Sequence, residues 1–331
     1  MSKRIFLWMA KALLSGIIAF AILTGVCMLY YNLPVHYDTV DGATDYSWGK
    51  NKFYSRGTEG FAWGKTNNEG YLNPIDYTES TQVDILVMGS SHMEAYNVLQ
   101  NKSTAGILSS MMPDKTVYNI GISGHNFLVC ADNLANAVNK YEPKEYVIIE
   151  THRLAYSDVQ LQTAIDENVT DLTSYTGGVL ELLQKNPFLR LIYSQLKSFS
   201  GNTADDAAPP IFTETTIGNE ENYCSLLAKL SDTVSDKGSQ LIIVYHPSLI
   251  LNKDGTASAN VDQELSEFFA TCCEKNGIIF LDMSNQFLES YESESILPHG
   301  FTNTSIGTGH LNKNGHALIA ESLYEIMKEE E

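Results

Sequence analysis

The sequence predicts a three-layer α/β domain with a mainly parallel five-stranded sheet, preceded by one transmembrane helix. Short apolar runs rich in β-branched residues alternate with helix-like segments, which is typical of βα units around a parallel sheet. Near the start, an uncharged run has about the length that crosses a bilayer as a helix. The 331 residues, 44% of them hydrophobic, can build a sizeable core, and a formal charge of −19 repels phosphate backbones, so we expect no nucleic-acid partner.

The uncharged run covers residues 12–31 and predicts a membrane anchor within residues 1–35. Basic residues precede this run and acidic residues follow it, at Lys3, Arg4 and Lys11 and at Asp38, Asp41 and Asp45. This pattern fits the positive-inside rule and predicts a single-pass protein with a cytoplasmic N-terminus and its main domain outside the cell. A cleaved signal peptide and a lipid-modified Cys27 are the alternatives. The apolar run is long for a signal peptide, and Val26 stands where lipid modification of Cys27 needs a small residue.

Residues 36–80 form a connecting segment that is rich in aromatic and turn residues and has no dominant helical or strand period. Its rings could stack on sugars, but packing against the main domain is favoured because each ring buries a large apolar area. The five cysteines are too few for a disulfide framework, and no His/Cys cluster has the spacing of zinc ligands. We therefore predict neither a structural metal nor a cofactor.

The main domain is predicted over residues 81–331. Its apolar runs predict five strands, at residues 83–88, 117–120, 146–149, 241–245 and 278–281. The segment 262–275 places Cys272 and Cys273 on one helical stripe, which favours core cysteines over reactive thiols. An insertion at about 155–215 contains a predicted helix over 179–199 and an exposed loop over 200–212.

The first strand of the domain ends in Gly89-Ser90-Ser91-His92. Open α/β sheets place their chemistry at the carboxyl ends of strands, where a serine can lie beside the N–H groups of a helix N-terminus. Ser91 is therefore the candidate nucleophile, although Ser90 or Ser91 could simply cap the helix. His92 is badly placed to take a proton from its neighbour, so Ser90 and His92 are expected to shape the pocket.

Two further motifs follow a strand or precede a helix. After the second strand, Gly121 and Gly124 stand three apart between Asn119 and Asn126, so that backbone N–H groups could face a ligand or merely form a turn. Before the last helix, a loop is predicted that contains His310 and Asn312 and ends in His316. Histidine has an ordinary pKa near neutrality, which suits a general base, so His310 is the candidate base. The alternative is a histidine in a surface loop without a catalytic role. His316 is expected to pack or cap.

In this order, G-x-S-x, N-x-G-x-x-G and H-L-N-x-x-G-H resemble the SGNH/GDSL hydrolase superfamily of esterases and acetyl-transfer enzymes. The resemblance covers roughly residues 82–330. It implies a flavodoxin-like α/β/α fold, with Ser91 as nucleophile and His310 as base. It also implies that the backbone N–H groups of Ser91 and Gly124 stabilise the oxyanion.

Two departures from the family pattern concern the motifs around the serine and the histidine. The chain has Gly89-Ser90-Ser91 where the family has Gly-Asp-Ser, and Gly307 where an acid stands three residues before the histidine. His310 therefore needs another group to orient it and to stabilise the imidazolium. The candidates are Asp282, Glu94, Glu150 and a backbone carbonyl.

A third departure lies at the end of the third strand, where the chain has Glu150-Thr151-His152-Arg153 and no asparagine to donate to the oxyanion. Arg153 or His152 could donate instead. The Glu-x-His pair also resembles the Asp-x-His pair of the alginate O-acetylation proteins, which makes His152, backed by Glu150, a second candidate base below His310. The structural alternative is a Glu150–Arg153 pair across a loop. His246, after the fourth strand, could line the site or only end the strand.

These residues predict a membrane-anchored extracytoplasmic serine esterase or O-acyltransferase, without a cofactor, that acts on ester-bearing carbohydrate of the cell wall or of a secreted polysaccharide. The carbohydrate rests on location and aromatic content alone. The competing hypothesis is a catalytically degenerate domain that binds glycan or a partner protein at the cell surface. Gly307 and the missing asparagine favour this second hypothesis.

Overall fold

The structure, a computed structural model, describes residues 3–33, 35–40, 43–166, 186–199, 217–304 and 306–329. Its helices, numbered in chain order, are α1 Lys3–Tyr30, α2 Ser91–Glu94, α3 Thr104–Met111, α4 Phe127–Tyr141, α5 Asp158–Ile165, α6 Pro187–Phe199, α7 Glu220–Ser235, α8 Gln263–Lys275, α9 Ser284–Glu294 and α10 Lys313–Glu329. Its strands are β1 Tyr31–Asn32, β2 Val35–Val40, β3 Ala43–Trp48, β4 Phe53–Arg56, β5 Ala62–Lys65, β6 Ile85–Met88, β7 Val117–Asn119, β8 Tyr146–Thr151, β9 Gln240–Tyr245, β10 Leu249–Leu251, β11 Ala257–Ala259, β12 Ile279–Asp282, β13 His299–Gly300 and β14 Ile306–Leu311.

A parallel five-stranded sheet in the order β12-β9-β8-β6-β7 forms the centre of the main domain. Each strand lies within two residues of its predicted bounds, so the predicted fold class is confirmed. Successive side chains of a strand point to opposite faces, and helices cover both faces here. One core contains Leu86, Val147 and Ile243 with residues of α4, α7 and α8, and the other contains Val87 and Ile148 with residues of α3, α9 and α10.

The N-terminal helix α1 is long and apolar enough to cross a membrane. It runs directly into β1, which pairs with β4 in a separate antiparallel sheet of order β1-β4-β5. Ser55 joins the two elements, since its Oγ donates to the Met28 carbonyl (2.8 Å) and accepts from the Asn32 N–H (3.1 Å). Helix α1 is thus continuous with the connecting segment.

The connecting segment contains strands β2 to β5, which its sequence did not predict. The strands of its β1-β4-β5 sheet have four residues or fewer, too short to show a period of two. Some of its aromatic rings are buried, as expected for packing, and others are exposed, as expected for stacking on sugars. Trp48 and Tyr54 are buried, whereas Phe61 and Trp63 are exposed.

The predicted insertion is only partly described. Helix α6, Pro187–Phe199, lies within the helix predicted over 179–199, and residues 179–185 and the predicted loop over 200–212 lie outside the described residues. Phe188 of α6 packs edge-on against Phe20 of α1, with ring centroids 5.8 Å apart. Arg190 Nη1 donates to the Leu33 carbonyl at 3.0 Å.

A disulfide links Cys224 of α7 to Cys272 of α8. This disulfide was not predicted, because the two cysteines are 48 residues apart and show no local spacing signal. Both cysteines of the predicted helical stripe, Cys272 and Cys273, are indeed buried, and Cys273 is free. Cys272 and Cys273 are thus buried as predicted, but the disulfide of Cys272 was not predicted.

Replacing Cys224 with serine is expected to lower the free energy of unfolding by about 2–4 kcal/mol, because the disulfide closes a long loop in the unfolded chain. Thermal unfolding of the full chain in detergent, with and without reductant, checks this. Reductant should lower the Tm of the wild type and leave that of Cys224→Ser unchanged. Equal shifts in both proteins would contradict the prediction.

Candidate active site

The two serines after β6 have different partners. Ser90 is the N-cap of α2, and its Oγ accepts a hydrogen bond from the His92 N–H at 3.2 Å. Ser91 is the first residue of α2, and its partly exposed side chain faces His310. The capping alternative therefore applies to Ser90, and the Ser91 hydroxyl remains available for chemistry.

His310 contacts Ser91 from the far end of the chain, with its Nε2 2.8 Å from Ser91 Oγ. The predicted surface loop is wrong here. His310 lies on β14, which pairs antiparallel with β13 in a two-stranded sheet, and this pairing fixes the direction of the ring. His316, six residues on, packs in the core with its Nδ1 2.9 Å from Thr104 Oγ1.

Glu59 lies behind the His310 ring. Its Oε2 is 2.7 Å from His310 Nδ1, and its Oε1 accepts the His310 backbone N–H at 2.9 Å. Ser91, His310 and Glu59 thus form a hydrogen-bonded chain with the connectivity of a catalytic triad. Glu59 stands in the turn between β4 and β5, outside the region of family resemblance, and the sequence analysis did not consider it.

None of the three acids proposed to orient His310 does so. Asp282 bonds to Ser266 and Ser284, Glu94 to Trp48 and Ser123, and Glu150 to Ser90 and His246. The carboxylate missing at Gly307 is replaced by a group 251 residues away from the histidine in sequence. No motif spacing could have revealed that distance.

Several contacts hold the turn that carries Glu59. The Asn303 side chain accepts from the Gly60 N–H (2.9 Å) and donates to the Gly57 carbonyl (2.8 Å), while Asn97 donates to the Glu59 carbonyl (3.1 Å). Gly309 has a φ of +90°, and a Cβ there would lie 2.6 Å from Glu59 Oε1. A glycine is therefore required where the carboxylate meets β14.

The charge of Glu59 is set by two opposing effects. Burial alone would raise the pKa of this carboxyl, but its hydrogen bonds and ionic contact with His310 outweigh burial and lower the pKa to about 2. Arg56 Nη2, 3.6 Å from Glu59 Oε2, acts in the same direction. Glu59 is therefore ionised at neutral pH and can hold His310 in the tautomer that accepts the Ser91 proton.

The stability provided by Glu59 should depend on pH. Because its pKa falls from 4.5 to about 2 on folding, the contribution is complete above pH 4.5 and is lost as the pH drops toward 2. We expect the Tm difference between wild type and Glu59→Gln to be largest near neutral pH and to shrink through this interval, as measured by calorimetry. The exposed Glu79→Gln is the control. A difference that stays constant down to the acid end would contradict the assignment.

The two predicted oxyanion donors lie in adjacent segments. Within the described residues, neither the Ser91 nor the Gly124 N–H donates to another protein group. The Gly124 loop is tied to α2, because Ser123 donates to the buried Glu94, whose pKa burial raises to about 7. Their role as oxyanion donors stays a prediction.

Three asparagines proposed for the pocket make hydrogen bonds within the fold instead. Asn119 bonds to Met93 and Gly121, Asn126 caps α4, and Asn312 bonds to the carbonyls of Leu297 and Gly300. Arg153, proposed as a donor, directs its Nε to the Ala155 carbonyl at 2.7 Å. These bonds tie the three asparagines to the fold, and the role of Arg153 as an oxyanion donor stays a prediction.

Glu150 stands directly behind the Ser90–Ser91 turn. Its Oε2 accepts the Ser90 N–H (2.7 Å) and hydroxyl (2.8 Å), and its Oε1 is 2.8 Å from His246 Nε2. A Cβ on Gly89 would lie 2.6 Å from Glu150 Oε2, so the glycine admits the carboxylate to the turn. Glu150 is in the site, but it positions the serines and does not contact His310 in the described structure.

Of the remaining predicted residues, His92 lies next to His310, with ring centroids 5.1 Å apart, and its Nδ1 accepts the Leu311 N–H at 3.2 Å. His152, the second candidate base, has its Nδ1 3.6 Å from Glu150 Oε1. Within the described residues, the Ser91 hydroxyl hydrogen-bonds to His310 Nε2 and not to His152. The geometry therefore favours His310 as the base.

No protein-family model matches the sequence, and no curated protein matches it. Solved structures with a similar arrangement include an acetyl xylan esterase (11% identity, TM-score 0.43, 74% of this chain and 99% of that chain). They also include a lipolytic G-D-S-L family member from Veillonella parvula (14%, 0.41, 74% and 98%) and a psychrotrophic esterase from Pseudoalteromonas sp. (15%, 0.40, 74% and 97%). We base the fold on the sheet order of this chain and the chemistry on its own side chains.

Proposed function

We propose that the chain is a membrane-anchored, extracytoplasmic serine ester hydrolase or O-acyltransferase of the SGNH type. The observation that carries this proposal is the chain of hydrogen bonds from Ser91 Oγ through both ring nitrogens of His310 to Glu59, at 2.8 and 2.7 Å. A serine, a histidine and an ionised carboxylate in this connectivity activate a hydroxyl for attack on an acyl carbon.

The reaction follows from the geometry. His310 Nε2 takes the Ser91 proton as Oγ attacks the ester carbonyl, and Glu59 stabilises the imidazolium that forms. The backbone N–H groups of Ser91 and Gly124 would bind the oxyanion. The imidazolium then gives its proton to the leaving alcohol. Water or a sugar hydroxyl, deprotonated by His310, resolves the acyl-enzyme and releases Ser91.

Two features support an extracytoplasmic location. The basic residues in the first turns of α1 and the acidic ones after this helix fit a cytoplasmic N-terminus and an external domain. The Cys224–Cys272 disulfide is typical of proteins in oxidising compartments. Together they favour a domain held outside the cell by α1.

The proposed substrate is ester-bearing carbohydrate, supported by aromatic side chains beside the turn that holds Glu59. Phe61 and Trp63 have exposed fractions of 61% and 57%, and Phe53 is 42% exposed. Flat exposed rings offer apolar faces for pyranose rings. The competing non-catalytic hypothesis is disfavoured because Glu59 supplies the carboxylate whose absence motivated it.

The full chain in detergent tests this function. We expect hydrolysis of an aryl acetate, covalent labelling by a fluorophosphonate, and release of acetate from O-acetylated xylan. Acyl transfer is tested separately, by replacing the polysaccharide with an acetyl donor and a sugar acceptor. A chain that neither labels nor turns over any of these esters would leave the binding hypothesis.

A further inference from the structure

Five of the eight histidines lie together in the candidate site, although they come from distant parts of the chain. Beside His310 stands a group that we call the histidine cluster, which comprises His92, His152, His246, His299 and Glu150. Ring centroids within it are 4.7 Å apart for His92 and His246, and 4.9 Å for His92 and His152. The proposed hydrolysis uses only His310 of these histidines.

Three atoms of the cluster converge on one point. Glu150 Oε1 lies 2.8 Å from His246 Nε2 and 3.6 Å from His152 Nδ1, and all three atoms are within 4.8 Å of one another. Ligands bound to Zn²⁺ at about 2.0–2.1 Å stand roughly 3–3.4 Å apart. The two distances from Glu150 Oε1 bracket this range, and side-chain shifts that bring the two histidine nitrogens, within 4.8 Å of each other, into the same range would let all three atoms bind one ion.

Neighbouring side chains orient the carboxylate of Glu150 and the ring of His246 as metal binding requires. Ser90 donates two hydrogen bonds to Glu150 Oε2, which turns Oε1 toward the histidines. His299 Nε2 lies 3.4 Å from His246 Nδ1, so the second ring nitrogen of His246 has a partner, as is usual for a ligating histidine. Glu150 Oε1 and His246 Nε2 are thus held facing each other at 2.8 Å.

We propose that Glu150, His152 and His246 form a binding site for one divalent transition-metal ion, with zinc favoured by the ligand set. Two imidazoles and one carboxylate, without a thiolate, suit Zn²⁺. The His152 side chain is 49% exposed, which gives an ion access from solvent. Three protein ligands leave a coordination position open, which a water or a substrate hydroxyl next to Ser91 would take.

A second set, His92, His246 and His299, also converges but fits less well. His92 Nδ1 accepts the Leu311 N–H, so a neutral His92 carries its proton on Nε2. A metal on Nε2 would require the proton to move to Nδ1, where it would face the Leu311 donor. This set is therefore the alternative that the experiment must separate.

The test is metal titration of the full chain in detergent after chelator treatment. We expect one Zn²⁺ per chain by competition with a chromophoric chelator, and visible absorption bands when Co²⁺ is used. His152→Ala should lower the affinity at least 100-fold, and because His152 is half exposed this variant should fold. His125→Ala, which removes a histidine outside the cluster, is the matched control.

The outcomes are distinct. Absence of stoichiometric binding, or unchanged affinity in His152→Ala, overturns the proposal. Loss of binding in His92→Ala with retention in His152→Ala also overturns it and assigns the ion to the buried set. The titration is repeated with Ser91→Ala, which should still bind one ion. Metal binding is thereby tested independently of the proposed esterase activity.

Discussion

Replacing Ser91 with alanine is expected to reduce kcat for aryl acetate hydrolysis by about 10⁴- to 10⁶-fold. The reason is that Ser91 Oγ is the hydroxyl in hydrogen-bond contact with His310 Nε2, at 2.8 Å, so the variant has no nucleophile to form an acyl-enzyme. Initial rates and fluorophosphonate labelling of the full chain measure the effect. Labelling should disappear altogether.

The matched control for Ser91→Ala is Ser80→Ala, at an exposed serine whose hydroxyl hydrogen-bonds to Thr78. It should keep the rate of the wild type within about twofold, since surface substitutions rarely perturb a distant site. Persistent labelling of Ser91→Ala would show that another residue reacts. Equal hydrolysis by both variants would assign the observed turnover to something other than this triad.

Replacing Glu59 with glutamine is expected to reduce kcat by about 10²- to 10⁴-fold while KM changes little. The amide keeps the shape of the side chain but has no charge, so it neither fixes the His310 tautomer nor stabilises the imidazolium. The pKa of Glu59, lowered to about 2 despite burial, indicates how strongly this carboxylate and His310 interact. Rates across pH 5–9 measure the loss.

Glu79→Gln, an exposed glutamate near the end of the connecting segment, is the control for this variant and should retain activity. A merely structural role of Glu59 would lower the amount of folded protein without changing the rate per labelled site. Titration of active sites with the fluorophosphonate separates these cases. Unchanged kcat per site in Glu59→Gln would remove the residue from the triad.

The fold and two of the three triad residues could be predicted from the sequence because their signals are local. The apolar runs of the sheet are contiguous, and the motifs around Ser91 and His310 each lie within a few residues of a strand or helix end. A parallel sheet brings the carboxyl ends of its strands to one edge, so these motifs could be placed in one site without coordinates.

Glu59 could not be predicted because it reaches His310 through tertiary structure alone. It comes from a turn between two four-residue strands, in a segment whose sequence shows no period. Most members of the histidine cluster were placed at the site because His92, His152 and His246 follow strands of the parallel sheet, but their mutual approach was not predicted. Metal-ligand motifs are recognised by their spacing along the chain, whereas these residues are close together only in the folded structure.

The continuity between α1 and β1 links the N-terminal apolar helix to the sheet that carries Glu59. Tyr30, the last residue of α1, packs so closely on Gly57 that a Cβ there would lie 2.4 Å from its ring, and β1 forms the edge of the sheet whose next turn carries Glu59. Proteolytic release just after residue 33 would strip away both supports. Under the proposed function, a fragment that begins after residue 33 is therefore expected to hydrolyse esters more slowly than the full chain, because the sheet that carries Glu59 has lost its edge strand.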